Sequence, residues 1–246
     1  MKNKSILCAL ISVAFTTIST GANSEAWSVA TDKSFAPYTY QNAQGKPAGI
    51  HYDIVDSAMK KMGQDYNLES YPWARIVDTT DRAEVDFSFS WAGKPARFEK
   101  YIMIGPLHRG RNVFAKLSSN TDISYDKLED LKGLKIGTVR GYSYATAFDD
   151  AKYLTKDSSN TDNSALIKKL MSGRVDIIIG DENVLNAEKK KLGISAEITY
   201  LPKAVKEVDR YAAFPKTNPE KAKKFATALE AIKADGTYEA ILAKYR

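Results

Sequence analysis

The feature that most constrains this chain is a pattern that occurs twice. In Val85-Asp-Phe-Ser-Phe-Ser-Trp-Ala-Gly-Lys-Pro-Ala-Arg97 an apolar strand signal runs into Gly93 and Pro95 and delivers Ser90 and Arg97 about the strand end. In Arg174-Val-Asp-Ile-Ile-Ile-Gly-Asp181 a helix is followed by Val-Asp, a buried strand and a terminal Asp181. Open α/β sheets place their ligands at such strand ends. One of the two ends is cationic and the other anionic.

The 246 residues are 43% hydrophobic and 27% charged, enough for a substantial core in one large domain or two lobes. Residues 1–26 carry Lys2 and Lys4, then the apolar run Ile6–Phe15, then small and polar residues ending Ser24-Glu25-Ala26. That is the tripartite pattern of a secretory signal peptide, with cleavage expected after Ala26 or Ala22, and the run is too short for a membrane span. Cys8 is the single cysteine and lies inside the run, preceded by Leu7 rather than the small residue a lipid anchor would favour. The mature protein is therefore expected to lack thiols and disulfides and to rely on its core in a periplasm or secreted fluid. The net charge is +6, or +5 once Lys2, Lys4 and Glu25 are removed. Lys189-Lys190-Lys191, the densest cationic run, reads as the solvated end of a helix, so no nucleic-acid partner is expected.

Along the chain, Trp27–Asp32 reads as a strand, Phe35–Tyr40 as an aromatic loop broken by Pro37, and the stretch after Gly49 as a broad-faced helix stopped by Gly63. Tyr66–Tyr71 alternates like a strand, and Pro72 then starts a short helix with Trp73 at the corner. With Val85–Phe89 this makes β-α-β-α-β, the pattern of a parallel doubly wound sheet. Gly105-Pro106 reads as a break, Asn112–Lys116 as a short strand, and Tyr125–Lys132 as a helix capped by Ser124. Leu134–Val139, a helix from Tyr144, a helix Ala165–Met171, the strand Val175–Ile179 and a helix Glu182–Leu192 repeat the first topology. Asp209–Phe214 reads as a late strand able to carry the chain back to the first half. Asn218-Pro219 starts a helix whose inner stripe is Phe225, Leu229 and Ile232, and Thr237 caps a terminal helix.

Common catalytic signatures are missing: there is no phosphate loop, no His-Glu-x-x-His, no Gly-x-Gly-x-x-Gly, and only two histidines. No cofactor, metal or catalytic residue is expected. Gly141-Tyr-Ser143-Tyr-Ala145 lies between a strand and a helix like a nucleophile elbow, and would need His51 or His108 against Ser143. Its better reading is an anion nest, in which backbone N–H groups of Gly141 to Ser143 and the Ser143 hydroxyl donate to a carboxylate. Arg97 offers a planar fork for the same carboxylate. Asp181 then takes an ammonium group, a role compatible with capping the helix that follows. Trp73 and Phe35 are candidate apolar walls, and His51 is as readily a structural histidine as a ligand group. Together these half-sites suit a small zwitterion of amino-acid type.

The residues Thr31-Asp32 with Phe35-Ala-Pro-Tyr38, Gly45-Lys-x-x-Gly49 with Asp53, Pro95-x-Arg97, Asp130-Leu-Lys-Gly133, Gly141, Gly173-Arg-Val-Asp176 and Ala234-Asp-Gly-Thr-Tyr238 resemble, in order and spacing, bacterial extracellular solute-binding proteins of family 3. These are polar amino-acid receptors of ABC importers. The resemblance covers the mature chain and implies an α/β, two-lobed clamshell of type II. Each lobe would be a doubly wound, mostly parallel sheet. Residues 27–110 with 211–246 would form one lobe and 111–210 the other, with crossover strands near His108–Asn112 and Val208–Ala212. It implies that Arg97 binds the α-carboxylate helped by Gly141 and Ser143, that Asp181 binds the α-ammonium, that Phe35 and Trp73 are aromatic walls, and that Ser90 faces the ligand. Asp32 and His51 complete the expected site. It also implies a monomer in the periplasm that serves an ABC permease of the inner membrane. Three departures stand out: Lys94 where the family usually has Thr, Ala92 where it has a polar residue, and His51 where an acid is often found. Loss of that acid argues against a family-typical site for lysine or arginine side chains. Two other readings on the same fold stay open: a cyclohexadienyl-dehydratase-like enzyme, with Glu182, His51 or Asp32 as acid, and a sensory protein docking on a chemoreceptor or kinase.

Overall fold

The structure is a computed structural model and describes residues 25–245. Most of the expected signal segment therefore lies outside the described residues. In chain order the first half comprises β1 (Trp27–Thr31), β2 (Ser34–Phe35), β3 (Thr39–Gln41), β4 (Pro47–Ala48), α1 (Ile50–Met62), β5 (Tyr66–Ser70), α2 (Trp73–Asp81), β6 (Phe87–Ala92) and α3 (Pro95–Lys100). A long β7 (Tyr101–Leu117) leads to a 3-10 turn at Leu128–Leu131, then β8 (Lys135–Val139), α4 (Thr146–Asp149), β9 (Thr155–Asn160), α5 (Asn163–Met171), β10 (Ile177–Asp181), α6 (Glu182–Leu192) and β11 (Ile198–Tyr200). The chain returns through β12 (Lys206–Pro215) and ends in α7 (Pro219–Ala234) and α8 (Thr237–Lys244).

The strands lie in the order β5-β1-β6-β12-β7-β10-β8-β9, with β11 beside β7. On one side β1 pairs in parallel with β5 and β6; on the other β8 pairs in parallel with β9 and β10. The antiparallel pair β7 and β12 joins the two sides, with Lys206 opposite Asn112 and Pro215 opposite Tyr101. Both long strands thus serve both halves, which is the two-lobed architecture with two crossovers.

The doubled Val-Asp motif has one structural role in each half. Asp86 N–H donates to the Ser28 carbonyl at 2.8 Å while its carboxylate accepts from Ser28 N–H at 3.0 Å. Asp176 makes the same pair with Lys135, at 2.9 and 2.6 Å. A carboxylate at the strand entry thus pins each central parallel strand to its neighbour before the apolar run begins, and this sets the register that places Ser90 and Asp181 at the far ends.

Each half has its own core. Val29, Ile54, Met59, Phe87, Phe214, Phe225, Leu229 and Ile232 pack in the first, where Phe87 and Phe214 stack with centroids 4.6 Å apart. Fully burying each such side chain contributes about 1.5–3 kcal/mol. Ile136, Ile177, Ile179, Phe114 and Phe148 fill one side of the sheet in the second half, and Val113, Leu166, Leu170, Ile178 and Leu185 the other.

Several expectations are corrected. Gly105-Pro106 does not break the chain, and Asn112–Lys116 is the end of one 17-residue strand, because its partner β12 pairs on both sides of a bulge there, Ala212 with Ile104 and Arg210 with His108. The helix expected over Tyr125–Lys132, with Ser124 as its cap, is one 3-10 turn at Leu128–Leu131 whose entry is held by Lys127 N–H donating to Asp130 at 2.9 Å. The helix from Tyr144 shrinks to Thr146–Asp149, and the polar strand β9 has no apolar alternation to announce it. Among the described residues no helix is long and apolar enough to cross a membrane, and no cluster of three metal-ligating side chains occurs.

Candidate functional site

Where the two halves meet, a small cavity of about 20 Å³ is lined by Phe35, Trp73, Ser90, Ala92, Arg97, Tyr142, Ser143 and Arg210. Pro95 opens α3 at a position where its missing N–H costs nothing, and this one-and-a-half-turn helix carries Arg97 back over the end of β6. The Arg97 guanidinium donates to the Ala92 carbonyl at 3.0 Å and, across the halves, to the Gly141 carbonyl at 3.5 Å. It lies over the Trp91 ring at 4.8 Å and near the Trp73 ring at 6.0 Å. Burial, and then the neighbouring positive charge of Arg210, lower its pKa to about 10. A cation held this way favours an arriving anion.

The strand end that presents Ser90 is unusual. Ser90 has φ +77, a region that non-glycine residues seldom occupy, and its hydroxyl lies 2.9 Å from His51 Nδ1. His51 is fully buried, stacks on Tyr38 with centroids 4.5 Å apart, and is held neutral by burial, by His108 and by Arg210. It supports the cavity from behind.

The turn Gly141–Ser143 arrives from the second half. Gly141 adopts φ +75, and its carbonyl also accepts from the Trp73 indole N–H at 3.0 Å. Tyr142 N–H is used by the Val139 carbonyl and Ser143 Oγ donates to Asp149 at 2.5 Å. The turn thus contributes the Tyr142 ring, Ser143 and a carbonyl that holds Trp73 and Arg97, rather than a full row of free N–H groups. The Tyr142 hydroxyl donates to Asp32 at 2.9 Å, a second bridge between the halves. Asp32 also accepts from Ser34 N–H at 2.8 Å, and burial pushes its pKa up to about 6.

Asp181 ends β10 and caps α6, accepting from the Asn183 and Val184 N–H groups at 3.1 and 3.4 Å. It is buried and takes two further donors, the Tyr38 hydroxyl at 3.1 Å and Arg210 at 3.2 Å. Gly110 makes the room, since a β-carbon there would stand 2.1 Å from Asp181 Oδ2.

Of the nine site residues expected from sequence, Phe35, Trp73, Ser90, Arg97 and Ser143 line the cavity. Asp32, His51, Gly141 and Asp181 stand directly behind it, each bonded to a lining residue or to the Tyr38 and Arg210 that pack there. Sequence reasoning missed Tyr142 and Arg210. Arg210 sits in β12 two residues from buried Val208 and Ala212, and an arginine on the same alternating face as those apolar residues is the signal that marks it.

A cleft-bound cationic fork, aromatic walls and two halves of one sheet joined by crossover strands define a solute-binding receptor fold. The chain belongs to the bacterial extracellular solute-binding proteins, family 3, whose model matches residues 27–246. It is 26% identical over 221 residues to "Probable amino-acid-binding protein YxeM" of Bacillus subtilis (strain 168), covering 88% of this chain and 81% of that one. It is 21% identical over 225 residues to the histidine-binding periplasmic protein of Salmonella typhimurium (strain LT2), covering 88% and 86%. In structure it is similar to an ancestral arginine-binding protein bound to glutamine, with TM-score 0.78, 24% identity, and 89% and 96% coverage.

Proposed function

We propose that this protein is the receptor of an ABC importer and captures an amino acid or related zwitterion between its lobes. One lobe is residues 27–110 with 211–246 and the other is 111–210. The observation that carries the reading is Arg97, a half-buried guanidinium in a cleft walled by Trp73 and Phe35 and reaching the carbonyl of Gly141 in the opposite half. Arg97 holds the ligand carboxylate, Ser90 and Ser143 border it, and Asp181 receives the ammonium. Closure brings Tyr142 onto Asp32 and Gly141 onto Trp73, excluding water, as in hinge closure around ligands generally. Exported to the periplasm after removal of residues 1–26, the closed monomer docks on an inner-membrane permease. It binds without chemistry and needs no cofactor.

A thermal-shift screen of the twenty amino acids, polyamines and small organic acids tests the reading. A ligand at about 100 times its Kd stabilises by about 2.7 kcal/mol, and silence across the amino acids would remove the proposal.

A further inference from the structure

The cavity holds two guanidinium groups, and a carboxylate clamp for a neutral amino acid uses only one. Arg210 lines the cavity beside Arg97 and is 6% exposed. Its Nη2 donates to Asp181, its guanidinium lies 5.2 Å from the Phe35 ring centroid, and its buried Nε–H has no acceptor among the described residues. An unpaired buried donor is costly, and a guanidinium has five N–H groups to satisfy.

Acceptors on this wall are scarce. Asp181 Oδ1 already takes the Tyr38 hydroxyl and the Asn183 and Val184 N–H groups. Asp32 takes Ser34 N–H and Tyr142 Oη–H. Asp149 takes Ser143 Oγ–H and Tyr144 N–H and faces Lys94 at 3.6 Å. None of these three carboxylates lines the cavity. His51, where the resemblance places an acid, is buried and neutral. The cavity is therefore rich in cationic donors and poor in anionic acceptors.

We infer that the ligand is an acidic amino acid, one carboxylate on Arg97 and the side-chain carboxylate on Arg210. This rests on the receptor reading above and adds the ligand's chemical class. Arg210 holds Asp181 through a single 3.2 Å contact to Oδ2. Turning toward the ligand, Arg210 gains a carboxylate for its free N–H groups and releases Oδ2 to the α-ammonium. Basic amino acids meet two guanidinium groups and are repelled.

The test is titration calorimetry on the purified full-length protein with L-glutamate, L-aspartate, L-glutamine, L-asparagine, L-arginine and glutarate. At least one acidic amino acid is expected to bind tenfold or more tighter than its amide, with arginine and glutarate weaker still. Amides or arginine binding as tightly as the acids would overturn the inference and leave the receptor reading intact. Glutarate binding as tightly as glutamate would overturn the ammonium contact and with it the assignment to an amino acid. Binding by none of the six would overturn the inference, and with silence in the wider amino-acid screen the receptor reading too. Arg210→Lys should keep a preference for acids with at least tenfold weaker binding. Arg210→Met combined with Asp181→Asn, which leaves no buried charge unpaired, should abolish the preference; retention of wild-type selectivity in that folded double variant would also overturn the inference.

Discussion

The hydroxyl of Tyr142 and the carboxylate of Asp32 meet at 2.9 Å from opposite halves of the molecule. Burial raises the Asp32 pKa from 3.8 to about 6, so the folded protein holds this proton where the unfolded chain has lost it. Between about pH 4 and pH 6 the native state binds more protons, and stability falls as pH rises through that window, by about 3 kcal/mol in all, then levels off. Urea unfolding of the wild type and Asp32→Asn from pH 4 to pH 7 should show a stability difference that shifts by this amount. A difference independent of pH would contradict the buried carboxyl.

His51 works in the opposite direction. Held neutral by burial, it must take up a proton on unfolding in acid, so its contribution is complete above pH 6.5 and is lost as pH falls below it. His51→Asn can still reach Ser90 and should lose less stability than the wild type on acidification below pH 6.5. Parallel acid unfolding curves would refute the assignment.

Arg97→Ala removes the fork while leaving Trp73 and Phe35 in place. A carboxylate left buried without its partner costs about 2–5 kcal/mol of affinity. Calorimetric titration with whichever amino acid the screen identifies should show that loss, with the melting temperature of the ligand-free protein little changed. Wild-type affinity in this variant would exclude Arg97 as the carboxylate anchor.

Gly110→Ala places a methyl group 2.1 Å from Asp181 Oδ2 and 3.1 Å from the Tyr38 hydroxyl. Both neighbours are buried and bonded, so neither yields cheaply, and the expected cost is about 1–3 kcal/mol. For a chain of this size each kcal/mol lowers Tm by about 2–4 °C, which calorimetric melting resolves. An unchanged Tm would mean that the Asp181 cage is not rigid.

How much of this was legible in the sequence follows from the range of each interaction. The parallel halves, the Asp181 cap and the helix opened by Pro95 depend on neighbours within a few residues, and alternation, glycine stops and proline starts encode them. Gly105-Pro106 misled because pairing with β12, about a hundred residues away, overrides a local break signal. The 3-10 turn at Leu128–Leu131 misled because one buried leucine is too little apolar surface to hold a longer helix.

By itself the sequence determined most of the elements, the α/β class, and that a cation at 97 and an acid at 181 lie at the ends of equivalent segments, while the two lobes were implied by the family resemblance. Only the tertiary structure decided what those charges meet. A side chain's partner across a cleft is set by the register of two long antiparallel strands, and that register brings Arg210 onto Asp181 from 29 positions away along the chain. Sequence spacing carries no trace of such a contact, because the free energy that selects it comes from burying both lobes' cores at once.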